Sequence, residues 1–408
     1  MEKVCIITHS YPRFEGDWRS NFIESLAHAY ADNDVEVTVL VPFSPRFDRP
    51  LTGGGKVRIV TYAYAPFRSW HTIGYGHSVR SDLAIDLQDL LLMPFLLFFG
   101  VIRFAKLLRE EKFAMVHAHW AVPNTVIAVL GRWLARTPTK IFTSFPGTDV
   151  TVLAKLGWAR SILRRIIMRS DYLSCNSSDL RESLVSSGFN GNGIDLVIYG
   201  VDDKNVSFSE AKRTELRRAW GVSDKDIVLL MIGRFVPKKG FSTALRAIKY
   251  ITGKRSSITM VVVGDGPLKD EYLRIVREDR TEPFVRFIGE ISVQELSGYY
   301  SASDIFLMPS RKLPADGLNV VVPEAMACAR PVIASNIGGN ELVVFPGVNG
   351  FLHAEDDHLQ LAELVIELAN DPELRGEMGR NALQLVKERF CWDVIAKQYL
   401  AAYHDRAR

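Results

Sequence analysis

Two doubly wound, Rossmann-like α/β domains are what this sequence predicts, and three observations predict them. Short β-branched, apolar runs alternate with loops and helix-forming stretches from the start, beginning with residues 4–8, 35–41 and 57–62. Such alternation is the mark of parallel strands joined by crossover helices. The pattern begins afresh at Asp226, where residues 227–232 (IVLLMI) are continuously apolar, as in a strand buried on both faces of a parallel sheet. The length, 408 residues, suits two or three domains.

Composition removes several classes of function. The chain is 47% hydrophobic and 24% charged, the balance of a globular protein with a full core. A net charge of +3 gives no reason to expect nucleic acid as a partner. Cys5, Cys175, Cys328 and Cys391 are far apart and unpatterned, which favours a reducing compartment and excludes a CxxC metal site. After Met1-Glu2-Lys3 the apolar run VCIIT is too short for a signal peptide and lacks a cleavage site, so a cytoplasmic location is expected.

The first strand ends at the loop HSYPRFEGDWRSN (residues 9–21), which leads into an Ala/Leu-rich helix over 22–30. Ligands of parallel sheets collect at the C-terminal ends of strands. Gly16 is the one glycine of that loop, so it is no dinucleotide fingerprint, and an ordinary loop glycine explains it equally well. Residues 90–102, LLLMPFLLFFGVI, are uncharged and are followed by Arg103, Lys106 and Arg109. The run is shorter than the ~20 residues that span a bilayer. It reads either as a core helix of the first sheet or as an interfacial segment with basic residues at the headgroups. A second basic stretch, residues 151–170, repeats the theme with Lys155, Arg160, Arg164, Arg165 and Arg169 among apolar side chains. Together they raise the expectation of peripheral contact with an anionic membrane.

A strand over 113–117 runs into His117-Ala118-His119-Trp120, and one over 141–144 into Phe145-Pro146-Gly147-Thr148-Asp149. The His-x-His pair lacks a third ligand in view, so no metal is predicted. Strands over 171–175 and 196–199 complete the first half.

In the second half, the strand at 227–232 ends in Gly233-Arg234-Phe235-Val236-Pro237-Lys238-Lys239-Gly240. Cations, glycines and a helix start at a strand's C-terminal end make a diphosphate site, because charge-assisted bonds to phosphate are the strong ones. The plainer alternative is a solvated basic turn. The next strand, 258–263, ends in the turn Gly264-Asp265-Gly266-Pro267, a weak signal alone, and 285–288 ends at Ile288 before Gly289.

A strand over 304–308 then opens the segment 310–350, SRKLPADGLNVVVPEAMACARPVIASNIGGNELVVFPGVNG. Pro323 reads as a first-turn proline. It sets the free N–H groups of a helix start against Asp316-Gly317-Leu318-Asn319-Val320, a ready anion site. Asp316 and Glu324 stand eight residues apart, so both carboxylates can point into one cleft. Residues 331–335 read as a short buried strand, and Gly338-Gly339 lets the backbone close on a ligand. Any α/β protein could carry such a unit with both carboxylates solvated.

This segment resembles the E-x7-E acid pair of the retaining GT-B glycosyltransferases of the family 4 type, the glycosyl transferases group 1. The resemblance implies two Rossmann-like domains facing a central cleft, hinged near 200 and 390. Residues 1–200 would bind the acceptor, with the helix over 389–408 crossing back onto them, and 201–388 would bind the donor. It implies a metal-independent hexosyltransferase that retains anomeric configuration. The donor substrate would be a nucleotide-diphosphate sugar, UDP preferred over GDP, with no other cofactor. The acceptor would be a glycan or lipid-linked sugar of cell-envelope or exopolysaccharide biosynthesis, met in the cytoplasm or on the inner membrane face.

Residue by residue, the resemblance carries donor binding to Gly16, Gly233, Arg234, Lys239, Gly264, Ile288, Asp316, Gly317, Leu318, Asn319, Val320 and Glu324. Arg234 and Lys239 would clamp the diphosphate and Glu324 the ribose. Catalysis falls to Asp316, Arg234, Lys239 and His119, and acceptor binding to His119, Gly147 and Asp149. The pattern departs at Asp316 (usually Glu), at Pro146 (usually His) and at Ala329 (usually Gly), and GGNE is one residue short in its spacing. Ala329 fits if its φ is negative. Two other functions stay open: a catalytically silent nucleotide-sugar-binding protein of the same fold, and a GT-B sugar phosphorylase or nucleotide-sugar epimerase.

Overall fold

Chain packing divides the protein into two units, Met1–Val197 with Trp392–Arg408, and Ile198–Cys391. The computed structural model describes residues 1–17, 20–48, 55–75, 87–147, 149–150, 153, 157, 159–312 and 317–407.

The first unit is built on parallel strands β1 (Glu2–Ile7), β2 (Val35–Pro42), β3 (Val57–Tyr62), β4 (Met115–His119), β5 (Lys140–Phe145), β6 (Tyr172–Cys175) and β7 (Ile194–Leu196). Their order is β3-β2-β1-β4-β5-β6-β7. The winding therefore reverses between β1 and β4, where doubly wound sheets open a crevice. On one face, α2 (Leu87–Glu110) and α3 (Val126–Ala135) bury Leu96, Phe104, Leu107 and Ile127 against Ile7, Leu40 and Val116. Opposite, α1 (Asn21–Asp32) packs with the C-terminal helix. The basic stretch contributes α4 (Ala159–Ile167), and α5 (Ser178–Ser186) follows, its first turn capped by Ser177.

The second unit repeats the design with α6 (Glu210–Trp220), β8 (Ile227–Ile232), α7 (Phe241–Lys254), β9 (Ile258–Val263), α8 (Lys269–Glu278), β10 (Val285–Gly289), α9 (Val293–Ala302) and β11 (Ile305–Met308). There follow α10 (Val321–Ala327), β12 (Val332–Ser335), β13 (Gly350–His353), α11 (His358–Asn370), α12 (Pro372–Leu385) and, back on the first unit, α13 (Trp392–Ala407). The order β10-β9-β8-β11-β12-β13 reverses between β8 and β11. Leu229 and Met231 lie inside with Phe235, Phe241 and Ile248.

Several expectations shift. Strand β4 ends at His119 rather than His117, and by the two-residue period of a strand both rings point to one face. Residues 196–199 are not a strand of their own: β7 ends at Leu196, and Val197 N–H only prolongs the ladder to Cys175 O. Strand β13 was not foreseen, because FLH is short and follows Gly350. That glycine is needed, since a Cβ there would lie 2.0 Å from Val332 O. The run 90–102 is neither wholly core nor wholly surface: Leu92 and Leu96 are buried while Leu91, Phe95 and Phe98 are exposed. Ala329 has φ +56°, so the condition of a negative φ is not met, because it closes α10 at the position where a helix turns left-handed.

Candidate active site

In the second unit the loops after β8 and β11 flank the point where the winding reverses. The loop after β8, carrying Gly233, Arg234 and Lys239, is wedged between its neighbours. Phe235 N–H donates to Asp265 O at 2.8 Å, and Gly264 N–H to Gly289 O at 2.8 Å. A Cβ on Gly264 (φ +135°) would sit 1.9 Å from Gly233 O, and one on Gly240 (φ +62°) 1.7 Å from Pro309 O. These glycines exist so that three loops can meet backbone to backbone. Ile288 lies where the pairing of β10 with β9 slips between Phe287 and Gly289, a bulge that re-aims the chain at the sheet's edge.

Lys239 and Asn319 come together across this junction: the Lys239 ammonium donates to Asn319 Oδ1. Asn319 is itself buried and donates through Nδ2 to Ser310 Oγ at 3.0 Å, while Ser335 Oγ donates to Ser310 O at 2.8 Å. Gly317 (φ +66°) and buried Leu318 precede it, and a Cβ on Gly338 would lie 3.5 Å from Gly317 O, so the GGNE turn borders this loop. Arg234, Val320 and Glu324 are half-buried.

Glu324 Oε2 accepts the Tyr300 hydroxyl at 2.7 Å. Burial pushes the Glu324 carboxyl up to about 7, and the Tyr300 bond only partly opposes it. The start of α10 offers fewer donors than the sequence suggested. Val322 N–H is engaged by Asn319 O at 2.9 Å, and Pro323 has none. Asp316 lies outside the described residues.

The first unit has a corresponding edge between β1 and β4. Here His9 packs on Trp120 with ring centres 4.5 Å apart, and Phe22 on Trp120 at 5.5 Å. Asn124 Nδ2 donates to His119 O at 2.6 Å and lies 3.0 Å from His9 Nδ1. Gly16 (φ +85°) is exposed in the loop after β1, where buried Arg13 pairs through Nε with Asp17 at 2.7 Å.

His119 has no exposed surface. Its ring stacks on His117 at 4.1 Å, meets Phe22 edge-on, and neither ring nitrogen has a hydrogen-bond partner. Burial holds it neutral, with its pKa pushed down to about 3. Asp149 is also buried. Its Oδ2 accepts Ala121 N–H at 2.7 Å and its Oδ1 accepts Gly147 N–H at 3.2 Å, while burial pushes its carboxyl up to about 6. Asp149 thus ties the loop after β4 to the turn after β5. Gly147 is buried at φ +138°, and Pro146 beside it is half-buried. Among the described residues no three of His, Cys, Asp and Glu are grouped to hold a metal.

Sequence reasoning passed over Tyr300, His9, Asn124 and the Arg13–Asp17 pair. For Tyr300 the SGYYSASD stretch held a faint signal, a tyrosine pair on a helix leading into an apolar strand.

Two doubly wound units in series, each with its ligand edge at a reversal of winding, are the architecture of the GT-B glycosyltransferases, and solved members align along the whole chain. HepE from Anabaena, in complex with UDP, matches 99% of this chain and 100% of its own with a TM-score of 0.72 at 17% identity. The catalytic domain of starch synthase IV from Arabidopsis thaliana, bound to ADP and acarbose, matches 100% and 99% with a TM-score of 0.75 at 15% identity.

Residues 20–200 match the glycosyl transferase 4-like domain and 212–385 the glycosyl transferases group 1. N-acetyl-alpha-D-glucosaminyl L-malate synthase of Bacillus anthracis is 30% identical over 307 residues, 75% of this chain and 78% of its own. The GDP-mannose-dependent alpha-(1-6)-phosphatidylinositol monomannoside mannosyltransferase of Mycobacterium tuberculosis is 27% identical over 304 residues, 72% and 77% respectively. The chain belongs to the GT4-type glycosyltransferases and acts on nucleotide sugars.

Proposed function

We propose that this protein transfers a hexose from a nucleotide-diphosphate sugar, with retention of anomeric configuration and without a metal, to a lipid-linked or other glycan acceptor of the cell envelope. The observation that carries the reading is the contact of Lys239 with Asn319, which joins the loops after β8 and β11 at the reversal of winding; Arg234 stands on the first of these loops and Glu324 follows the second on α10. In the reaction the bond from the sugar's anomeric carbon to the β-phosphate oxygen breaks. The diphosphate gathers negative charge and the sugar becomes oxocarbenium-like. Arg234 and Lys239 meet the first charge with preorganised cations, the largest single term available to such a site. Glu324, held by Tyr300, receives the ribose hydroxyls, and Asp316 is assigned to the transferred sugar.

Residues 201–388 serve as the donor domain, with Gly233, Gly264, Ile288, Gly317, Leu318 and Val320 shaping its backbone around the nucleotide. Residues 1–200 with the C-terminal segment 389–408, which holds α13, serve the acceptor, through the edge that carries Gly16, Gly147, Asp149 and His119. A UDP-sugar is preferred as donor. HepE, whose structure holds UDP, supports this; the mycobacterial relative, named for GDP-mannose, is the reason to test both. That relative, named for phosphatidylinositol monomannoside, supports the lipid-linked choice, and a cytoplasmic site of action goes with both substrates.

Incubation with UDP- and GDP-sugars, followed by NMR of the anomeric proton of the product, tests donor and stereochemistry together. Chelation with EDTA should leave the rate within about twofold, since Arg234 and Lys239 already supply positive charge. Lys239→Ala should lower kcat/KM by about 2 kcal/mol or more; unchanged kinetics would remove it from the diphosphate. Pro146, which offers no N–H to a sugar, motivates one rival, a silent binding protein. Donor binding without hydrolysis or transfer to any offered acceptor would favour that rival.

A further inference from the structure

We propose that the outer face of α2, continued by α3 and α4, docks in the interfacial layer of an anionic phospholipid bilayer. On α2, Leu91, Phe95, Phe98 and Ile102 are 66%, 54%, 59% and 45% exposed. They recur at steps of three and four residues, so they form one stripe along the helix. The same stripe continues, again at steps of three and four, into exposed Lys106 and Arg109. The opposite side of α2 is firmly in the core through Leu96, Phe104 and Leu107.

The surface does not stop at one helix. Helices α2 and α3 touch closely at two glycines: a Cβ on Gly131 would lie 2.5 Å from the Phe104 ring, and one on Gly100 2.7 Å from Ile127. Arg109 donates to Leu134 O at 2.8 Å, which brings the end of the α2 stripe to α3. There Trp133 is 76% exposed and Leu134 40%. Next to α3, α4 adds exposed Ile162 and Arg165 beside half-buried Arg160 and Arg164, the latter donating to Gly188 O, with no acid in its own sequence. Scattered apolar side chains need no explanation on a protein surface, but a run of exposed apolar residues across three adjoining helices does.

Charge selects the occupant. Cations border this run at the end of α2 and along α4, where long basic side chains can reach headgroups while their stems stay on the apolar layer. Glu110 offsets part of this, since Arg103 and Lys106 approach it at 3.9 and 3.7 Å; the arginines of α4 carry no such offset within their helix.

Residues Gln88–Glu110 are long and apolar enough to cross a bilayer, and 33% of the most apolar stretch is buried. Crossing would tear Leu96, Phe104 and Leu107 from the core, so α2 lies in the plane of the membrane surface. This surface rests on the lipid-linked reading of the acceptor for its use, and on exposure and charge for its existence.

The test is co-sedimentation of the full chain with vesicles of phosphatidylcholine alone or mixed with phosphatidylglycerol. The expected result is binding to the mixed vesicles, partly released by salt. The double variant Phe95→Ser, Phe98→Ser should lower the bound fraction about tenfold, with thermal midpoint and nucleotide-induced thermal shift unchanged. Should that variant lose its fold, Arg160→Gln with Arg165→Gln keeps the question open to decision: it should weaken binding at low salt and leave the midpoint intact.

Equal recovery in the supernatant with both vesicle types at low salt overturns the proposal. So does unchanged vesicle binding in both variants. Light scattering that finds a wild-type dimer, inert to vesicles and made monomeric by Phe95→Ser, assigns the face to a second copy and overturns it too. Failure of vesicle binding with donor turnover intact leaves the transferase reading standing; loss of donor binding alone would do the reverse.

Discussion

Ala329 sits at φ +56°, in the left-handed region that closes a helix, with its N–H donating to Met326 O at 2.9 Å. A Cβ in that region costs about 1–2 kcal/mol, of which glycine's looser unfolded chain returns a part. Ala329→Gly should therefore stabilise the protein by about 1 kcal/mol, read as a higher urea midpoint; a lower midpoint would mean the methyl packs better than its strain costs.

Glu324 makes a second prediction through its raised carboxyl. Below its ordinary value of 4.5 both folded and unfolded chains hold the proton, and between 4.5 and about 7 only the folded chain does. Stability contributed by this group thus falls as pH rises through that window and stays lost above it. Glu324→Gln should flatten this part of the pH profile. If the carboxylate serves the ribose, nucleotide affinity should rise in the wild type as pH passes 7, and not in the variant.

That Arg234, Lys239 and Asn319 stand on loops at the C-terminal ends of parallel strands was legible, because apolar strand runs ending in glycines and charge mark such loops. Tyr300 was not, since a buried tyrosine's partner is set by packing. Nor was the burial of His119, which turned on two residues of strand length.

At the scale of elements, the C-terminal helix α13 is part of the first unit's interior. Tyr399 places its hydroxyl 3.1 Å from Ser144 Oγ and 3.2 Å from Ser174 Oγ, and Ser144 in turn lies 2.8 Å from His117 Nε2. Tyr30 closes the set from α1, 3.0 Å from His117 Nδ1. These groups are buried together, so each depends on the others for satisfaction. Tyr399→Phe keeps the ring and removes one hydroxyl, which should cost about 1–2 kcal/mol in denaturant unfolding. A cost near zero would mean the two serines and His117 satisfy one another without it.

The apolar runs announced β1, β2, β8 and β9 plainly, because buried parallel strands are hydrophobic on both faces. The network around Tyr399 left no trace in local sequence, since its members stand at positions 30, 117, 144, 174 and 399. For α2 the sequence was undecided for a physical reason: a helix that is apolar on all sides does not reveal which side meets the core.

At the scale of the whole molecule, the two units differ in how they can be cut. Both ends of the second unit meet: Val201 N–H donates to Phe390 O at 2.8 Å, and Val201 bridges Cys391 in parallel. Its core and its sheet, from β8 to β13, are built from its own residues. A fragment of residues 198–391 should consequently fold alone and unfold cooperatively. The first unit is discontinuous, since its interior includes Tyr399 from the far end of the chain. Residues 1–197 alone should be destabilised or insoluble, and joining 392–408 to them through a flexible linker should restore a folded domain.

The proposed diphosphate and ribose contacts, Arg234, Lys239 and Glu324, all lie within 198–391, so this fragment should still bind UDP or GDP without transferring sugar. Binding to the folded form alone raises apparent stability by about 2.7 kcal/mol at a hundredfold excess of ligand over Kd, a shift that thermal melting resolves easily. A folded 198–391 fragment whose melting point ignores both nucleotides would move the donor site out of this unit. A folded 1–197 fragment with a native-like melting point would show that the Tyr399 network is dispensable, and that α13 packs on the first unit without holding it together.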